Sequence, residues 1–302
     1  MAVSSRLRRR EERFGWLFAS PWIIGFFLFT FGPMIWSFYL GFTQYAIASP
    51  PKWIGLTNFQ RALSGADSLF WPTLWRTIQY SVVMVPLSIV GSLGAALLLN
   101  QNLKATTLLR TLYFLPSLAP VVASAVLWRW LFQPEFGAIN TLLGNVGVQG
   151  PRWLADANWA MPSLMVMALW GAIGGSTMVI FLAGLQSVPA ELHEAAQIDG
   201  ATAWQRFWAV TIPMLSPTIF FNLVLRVIAA LKVFEAAFVA TNGGPNYATW
   251  FFIQHLYQNG FQNIEMGYAS ALAWIFFVLV VSLTYLNVRL SRRWVYYEAE
   301  AR

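Results

Sequence analysis

Polar and apolar positions along this 302-residue chain segregate into long blocks rather than alternating. Residues 16–40, 77–99, 112–132, 161–185, 217–238 and 268–288 are apolar almost throughout, and each reaches the about 20 residues that a helix needs to cross a bilayer. The pattern predicts an all-α membrane protein with six transmembrane helices. Between the fourth and fifth blocks lies "ELHEAAQIDGATAWQRFWAVTIPMLSP", the longest interval suited to water. Its periodicity predicts a helical hairpin. A first short helix is expected over 190–199, with Ser187 as a cap, Pro189 in the first turn and Glu191 and Glu194 at the positive end. Gly200 stops it. In the second helix Trp204, Phe207, Trp208 and Ile212 share one side and Thr202, Gln205, Arg206 and Ala209 the other, so the aromatic stripe is expected to pack on the chain's own membrane helices or on the bilayer surface.

Composition agrees with the blocks: 58% of residues are hydrophobic and only 10% charged, against roughly 25% charged in soluble domains. A single membrane domain follows, over residues 16–290, with a basic segment at 1–15, a polar loop at 187–213 and a tail at 291–302. The net charge of +7 points to topology rather than nucleic acid, because the basic residues flank the apolar blocks. Arg6, Arg8, Arg9, Arg10, Arg13, Lys104, Arg110, Arg206, Arg289, Arg292, Arg293 and Arg302 fall on one side, against Lys52, Arg61, Arg76 and Arg152 on the other. The positive-inside rule then places both termini and the hairpin in the cytoplasm. The first block, although preceded by "RLRRR" and followed by Ala46-Ile47-Ala48, far exceeds the about 7–15 apolar residues of a signal peptide core and is expected to remain as a helix.

Several chemistries are excluded. The chain has no Cys, which removes disulfides, thiolate metal sites and cysteine nucleophiles. His193 and His255 are its two histidines and stand too far apart in sequence to suggest a metal site or a catalytic pair. A P-loop needs G-x-x-x-x-G-K-[ST], yet Lys52, Lys104 and Lys232 follow Pro51, Leu103 and Leu231, so an ATPase of that type is ruled out. Small residues at Gly91, Gly94 and Ala95, and at Gly171, Gly174, Gly175 and Ser176, mark either helix contacts or ordinary glycine tolerance in lipid. A charge at mid-span costs about 3 kcal/mol on insertion scales. Arg226 pays that, with Asn222 one turn before it and Glu235 near the outer end. Asn222, Arg226 and Glu235 are therefore candidates to line a substrate path, the competing reading being a structural partnership of Arg226 with a carbonyl. The rival function is a self-sufficient carrier or channel subunit, for which the spans offer no central carboxylate or His to couple protons.

Glu194-Ala195-Ala196, three residues, Gly200, nine residues and then Val210-Thr211-Ile212-Pro213 resemble the EAA loop of permease subunits in bacterial ABC importers, written EAA, three residues, G, nine residues, I-x-L-P. Val210 and Ile212 depart conservatively from its Ile and Leu. The phrases "SPWIIGFFLFTFGPMIWSFYLGFT", "GLTNFQRAL", "LLRTLYFLPSLAPVVASAVLWRWLFQPEFGAIN" and "TNGGPNYAT" extend the resemblance over nearly the whole chain. They look like the carbohydrate-type branch, in particular the first of the two permeases in maltose, glycerol-3-phosphate and trehalose systems. The resemblance implies that Glu194, Ala195, Ala196, Asp199, Gly200 and Pro213 belong to a coupling helix docking on a cytoplasmic ATPase. It implies as partners a second homologous permease, a dimer of ABC ATPase subunits that bind ATP and Mg, an extracytoplasmic solute-binding protein and a small solute of sugar type, in the bacterial inner membrane. No cofactor of the chain's own and no nucleic acid is expected. The outer loops 133–160 and 239–267 would meet the solute-binding protein, and "ATWFFIQHLYQNGF" within the second is expected to form an amphipathic helix at the outer face.

Overall fold

The computed structural model describes residues 5–101 and 104–296. Residues 1–4 and 297–302 of the two terminal segments, Arg302 among them, and the side chains of Arg6, Arg8 and Arg9 lie outside the described part. The fold is mostly helical. In chain order α1 (Ser5–Phe26) passes through a π-turn (Phe27–Phe31) into α2 (Gly32–Leu40), followed by the two-residue strands β1 (Thr43–Gln44) and β2 (Lys52–Trp53), then α3 (Thr57–Leu63) and α4 (Phe70–Leu99). Next come α5 (Thr106–Leu118), α6 (Val121–Leu131), α7 (Ala138–Asn145), α8 (Ala157–Ile173), α9 (Ser176–Gln186), α10 (Ala190–Ile198) and α11 (Ala203–Arg206). A second π-turn (Phe207–Thr211) leads into α12 (Ile212–Leu231), and α13 (Glu235–Thr241), α14 (Phe252–Tyr257), a third π-turn (Gln258–Gln262) and α15 (Met266–Ser291) complete the chain.

Among the described residues three helices are long and apolar enough to cross a membrane: Arg10–Leu40, Phe70–Leu99 and Met266–Ser291. Two bent pairs raise the number of candidate spans to as many as five, against six expected. The third expected span is a pair, α5 and α6, at 96° to one another. Proline explains it: Ala119, ahead of Pro120, takes ψ 132, the extended conformation that a following proline ring imposes. The fourth is bent by 43° between α8 and α9, where Gly174 and Gly175 leave the helical ladder. The fifth expected block falls on α12, which is not among these candidate spans and ends at Leu231, so that Glu235 and Phe238 belong to the separate α13.

Two of the π-turns have a common cause. Each precedes a proline, Pro33 after the first and Pro213 after the second. Proline cannot donate a backbone N–H and its ring crowds the preceding turn, and in both places the widened turn closes with a bond from the residue ahead of it: Gly32 N donates to Phe27 O and Ile212 N to Phe207 O.

The chain divides into two compact units, Met1–Asp67 with Leu256–Phe277, and Ser68–His255 with Val278–Arg302. In the first, Phe38 meets Trp274 edge-on with ring centroids 4.7 Å apart, and Phe42 stacks on Trp53 at 5.5 Å. Asn58 donates to the carbonyls of Gly41 (3.0 Å) and Thr43 (2.9 Å), fixing the turn into β1. In the second unit, one cluster joins Tyr80 and Met84 of α4 with Ala125, Leu164, Met167, Ala237 and Phe251. Another joins Ala95, Ala96 and Leu99 with Met178, Phe181, Leu185 and Leu215. Small residues serve these contacts unevenly. A Cβ on Gly174 would overlap the Tyr113 carbonyl and one on Gly91 would come within 2.8 Å of Ile173, whereas Gly94 faces open space. The stretch 248–261 is not an amphipathic surface helix: Phe251, Phe252, Gln254 and His255 are all buried, and Phe252 N donates to Thr77 Oγ1 at 2.9 Å.

Candidate functional site

The polar hairpin is shaped by the caps at its turn, while the start of α10 has no side-chain cap. Ser187 closes the preceding helix instead of opening the next, donating from Oγ to Gly184 O at 2.8 Å, and Pro189 occupies the cap of α10. At the other end of α10, Ala201 N donates to Ala196 O (2.9 Å) and Gly200 N to Gln197 O (3.0 Å). That pair is a Schellman motif, which satisfies carbonyls that a helix end leaves bare. It needs a left-handed residue, and Gly200 has φ +79. Two residues on, Thr202 and Gln205 form a reciprocal capping box: Gln205 N donates to Thr202 Oγ1 (3.3 Å) and Thr202 N to Gln205 Oε1 (2.8 Å). Arg206 Nη1 donates to Gln197 Oε1 at 3.1 Å and links the two helices.

What this rigid hairpin presents is mixed in chemistry. Glu194, Ala195, Asp199 and Gly200 are exposed, while Ala196 and Pro213 are half-buried. Beside them stand large apolar groups in the open, with Ile198 86%, Trp204 68% and Trp208 53% exposed. Within the expected aromatic stripe Trp204 stacks on Phe207 at 5.7 Å and meets Trp208 edge-on at 5.6 Å, but Trp204 and Trp208 are exposed rather than packed on the chain's own helices. Burial of one such side chain contributes about 1.5–3 kcal/mol, so the exposed cluster is suited to a partner or a bilayer surface.

The second candidate site surrounds Arg226, in the C-terminal half of α12. Its Nε donates to Thr177 Oγ1 at 2.8 Å and its Nη2 to the Ala172 carbonyl at 2.9 Å. That carbonyl lies in the last turn of α8, just before the bend at Gly174, and Ser92 Oγ also donates to it at 3.1 Å. The carbonyl partnership weighed from the sequence is therefore present. Arg226 also lines two cavities: one of 180 Å³ with Tyr80, Ser88 and Ala229, and one of 300 Å³ with Ser117, Ser124 and Trp170. Asn222 is buried, donates to Thr218 O at 3.0 Å and leaves its Oδ1 without a partner. Glu235 is exposed at the start of α13. Neither Asn222 nor Glu235 lines the two cavities at Arg226.

Sequence reading missed Tyr80, Ser88 and Thr177 as neighbours of Arg226. A signal existed: Thr73, Thr77, Ser81, Ser88 and Ser92 place hydroxyls on the buried face of an otherwise apolar α4, at the spacing of one helix side.

The described helices thus combine two bent pairs, a half-buried arginine and a polar hairpin. The chain belongs to the family of binding-protein-dependent transport system inner membrane components, which matches residues 77–296. It is therefore an inner-membrane, multi-pass permease. It is 41% identical to the probable ABC transporter permease protein YesP of Bacillus subtilis, over 98% of this chain and 96% of that protein. With the trehalose/maltose transport system permease protein MalF of Thermococcus litoralis it shares 33% identity, over 96% of this chain and 97% of that one. Its fold superimposes with a TM-score of 0.83 and 26% identity on a chain from the crystal structure of a bacterial ABC transporter involved in the import of the acidic polysaccharide alginate, covering 96% and 99% of the two chains. A further structure holds such an alginate transporter in complex with an alginate pentasaccharide-bound periplasmic protein.

Proposed function

We propose that this chain is one permease of an ATP-driven importer for a sugar or sugar-like solute. It works with a second homologous permease, two ATPase subunits that bind ATP and Mg, and an extracytoplasmic solute-binding protein. Six membrane crossings, with both termini cytoplasmic, put the hairpin of α10 and α11 on the side of the ATPase. The observation that carries this reading is the hairpin itself: a hydrogen-bonded element holding Glu194, Ala195, Asp199 and Gly200 in the open, with Ala196 half-buried, beside exposed Ile198 and Trp204. Such a surface gives a partner an apolar anchor and a carboxylate able to pair with an arginine.

Coupling follows from continuity. The hairpin runs through the π-turn and Pro213 directly into α12, the helix that carries Asn222 and Arg226. Closure of the ATPase pair moves α10, and α12 transmits the displacement to the groups that line the solute path, so that the permease pair alternates between outward-open and inward-open states. Arg226 and Tyr80 supply donors to solute hydroxyls or a solute carboxylate along that path, Ser88 Oγ, which donates to Val85 O, supplies an acceptor, and Asn222 lies on the same helix with Glu235 towards its outer end.

The test is to tag the chain in its native membranes, solubilise gently and identify what co-purifies. An ATPase, a second permease with an EAA loop and a solute-binding protein are expected. Recovery of the chain alone, under conditions that preserve known complexes, would sink the proposal in favour of a self-sufficient carrier.

A further inference from the structure

The largest cavity among those described lies in the first unit, and its lining includes no residue named in the transport mechanism. It occupies 640 Å³ between the β1–β2 hairpin, α3 and the start of α15, lined among others by Gln44, Tyr45, Lys52, Arg61, Asn263 and Glu265. That is within the roughly 300–1,000 Å³ of small-molecule sites. Its walls are fixed. Gly267 N donates to Tyr45 O at 3.1 Å, and a Cβ on Gly267 would overlap the Thr43 carbonyl, so the hairpin and α15 meet backbone to backbone. Asn58 holds the β1 end from beneath through its two carbonyl bonds.

The polar groups are arranged for a neutral, multiply hydroxylated ligand. Arg61 Nη1 donates to Glu265 Oε2 at 2.9 Å, its guanidinium carbon stands 4.1 Å from the Tyr268 ring centroid, and the Tyr268 hydroxyl donates to Asp67 Oδ2 at 2.6 Å. With the side chains 43% and 42% exposed, that ion pair adds little to stability, but it cancels the positive charge of Arg61 and presents a fixed donor beside a fixed acceptor. Gln44 and Asn263 add amides, Asn263 Nδ2 donating to Asn259 Oδ1 at 3.3 Å, and Tyr45 and Lys52 belong to the same lining. An anionic peptide would find the central charge already neutralised, whereas adjacent sugar hydroxyls, each both donor and acceptor, match a paired carboxylate and guanidinium.

We propose that this cleft is a saccharide-binding site in the first unit, separate from the Asn222 and Arg226 path. The choice of saccharide probes rests on the import reading given above. The test uses the full chain assembled with its partner subunits in nanodiscs without the solute-binding protein, and the neutral sugars maltotriose, trehalose and raffinose at millimolar concentration as probes in saturation-transfer NMR. At least one is expected to bind, and Gln44→Ala with Asn263→Ala, or separately Ser49→Trp, which fills the cleft from its exposed loop, weakens that binding about tenfold or more, equivalent to 1.4 kcal/mol. Two variants with different chemistry guard against a misfolded one. Binding by none of the three probes, or binding unchanged in both variants, overturns the proposal. ATP-driven uptake of the same sugars is measured in parallel. Uptake without cleft binding discards the cleft and keeps the import reading, whereas cleft binding by an assembly that imports none of them discards the import reading and keeps the cleft.

Discussion

The surroundings of Arg226 and the hairpin of α10 and α11 solve opposite problems. Around Arg226 a charge has been brought into an apolar bundle and given partners from inside the chain: the Thr177 hydroxyl and the Ala172 carbonyl. On the hairpin the backbone is capped around Gly200 and Thr202, while Ile198 and Trp204 stand in the open, Trp204 against Phe207 and Trp208 of its own stripe. In the first region the arginine finds its partners within the chain, with Asn222 Oδ1 one turn away left without one, and in the second the large apolar groups are left exposed. The comparison teaches where the chain is self-sufficient and where it awaits another protein. Damage in the bundle is expected to cost folding, and damage on the hairpin to cost partnership.

The largest effect sharpens the first half of that contrast. Gly174→Leu would drive a side chain into the Tyr113 backbone, which cannot yield as a flexible side chain would; such overpacking against main chain exceeds the usual 1–3 kcal/mol range. Loss of the folded protein from membranes is expected, read by fluorescence-detected gel filtration. Arg226→Leu comes next. It relieves an insertion cost of about 3 kcal/mol but leaves the Thr177 hydroxyl and an Ala172 bond unmade, at about 1–3 kcal/mol per unsatisfied group. These nearly cancel. The protein should remain folded, with solute uptake falling at least tenfold; unchanged uptake would assign Arg226 to packing alone.

Gly200→Trp probes the hairpin. Space is open around a Cβ there, yet φ is +79, and a left-handed L-residue costs roughly 1–2 kcal/mol. The bundle should keep its thermal midpoint while ATPase stimulation by solute falls to the basal rate. The smallest effect expected is that of Thr202→Ala, which removes one half of the capping box at about 1 kcal/mol. A partial loss of ATPase retention on the membrane, read by co-sedimentation, would place the hairpin's rigidity within coupling; an undiminished retention would confine the box to local stability.

The apolar blocks were legible in the sequence because composition and length alone decide insertion. The hairpin was legible because Gly200, Thr202 and Gln205 carry local geometry that three or four neighbouring residues determine. Other features depended on contacts far apart in sequence. The 96° turn at Ala119-Pro120 shows this: Pro116 and Pro120 announce a disturbance, but whether the chain kinks within one span or folds sharply back depends on how Gly174 and Ser117 let α5 approach the bend in α8 and α9. Arg226 reads as a costly charge, and its partners lie about fifty residues upstream. The burial of Gln254 and His255 was hidden for a similar reason, since the alternation in 248–261 suggests a surface helix while the bond from Phe252 N to Thr77, 175 positions away, draws the segment inward.

The claim on which the account turns is that the exposed apolar residues of the hairpin hold the ATPase. Its direct test is the affinity of the purified ATPase for the permease pair in nanodiscs, with Ile198→Asp and Trp204→Asp against the unaltered chain. Truncating or charging a central apolar anchor typically costs 2 kcal/mol or more, so weakening by about thirtyfold or more is predicted for at least one of the two, with solute binding by the permeases retained. Equal affinity for all three proteins would contradict the account and return the hairpin to the bilayer surface.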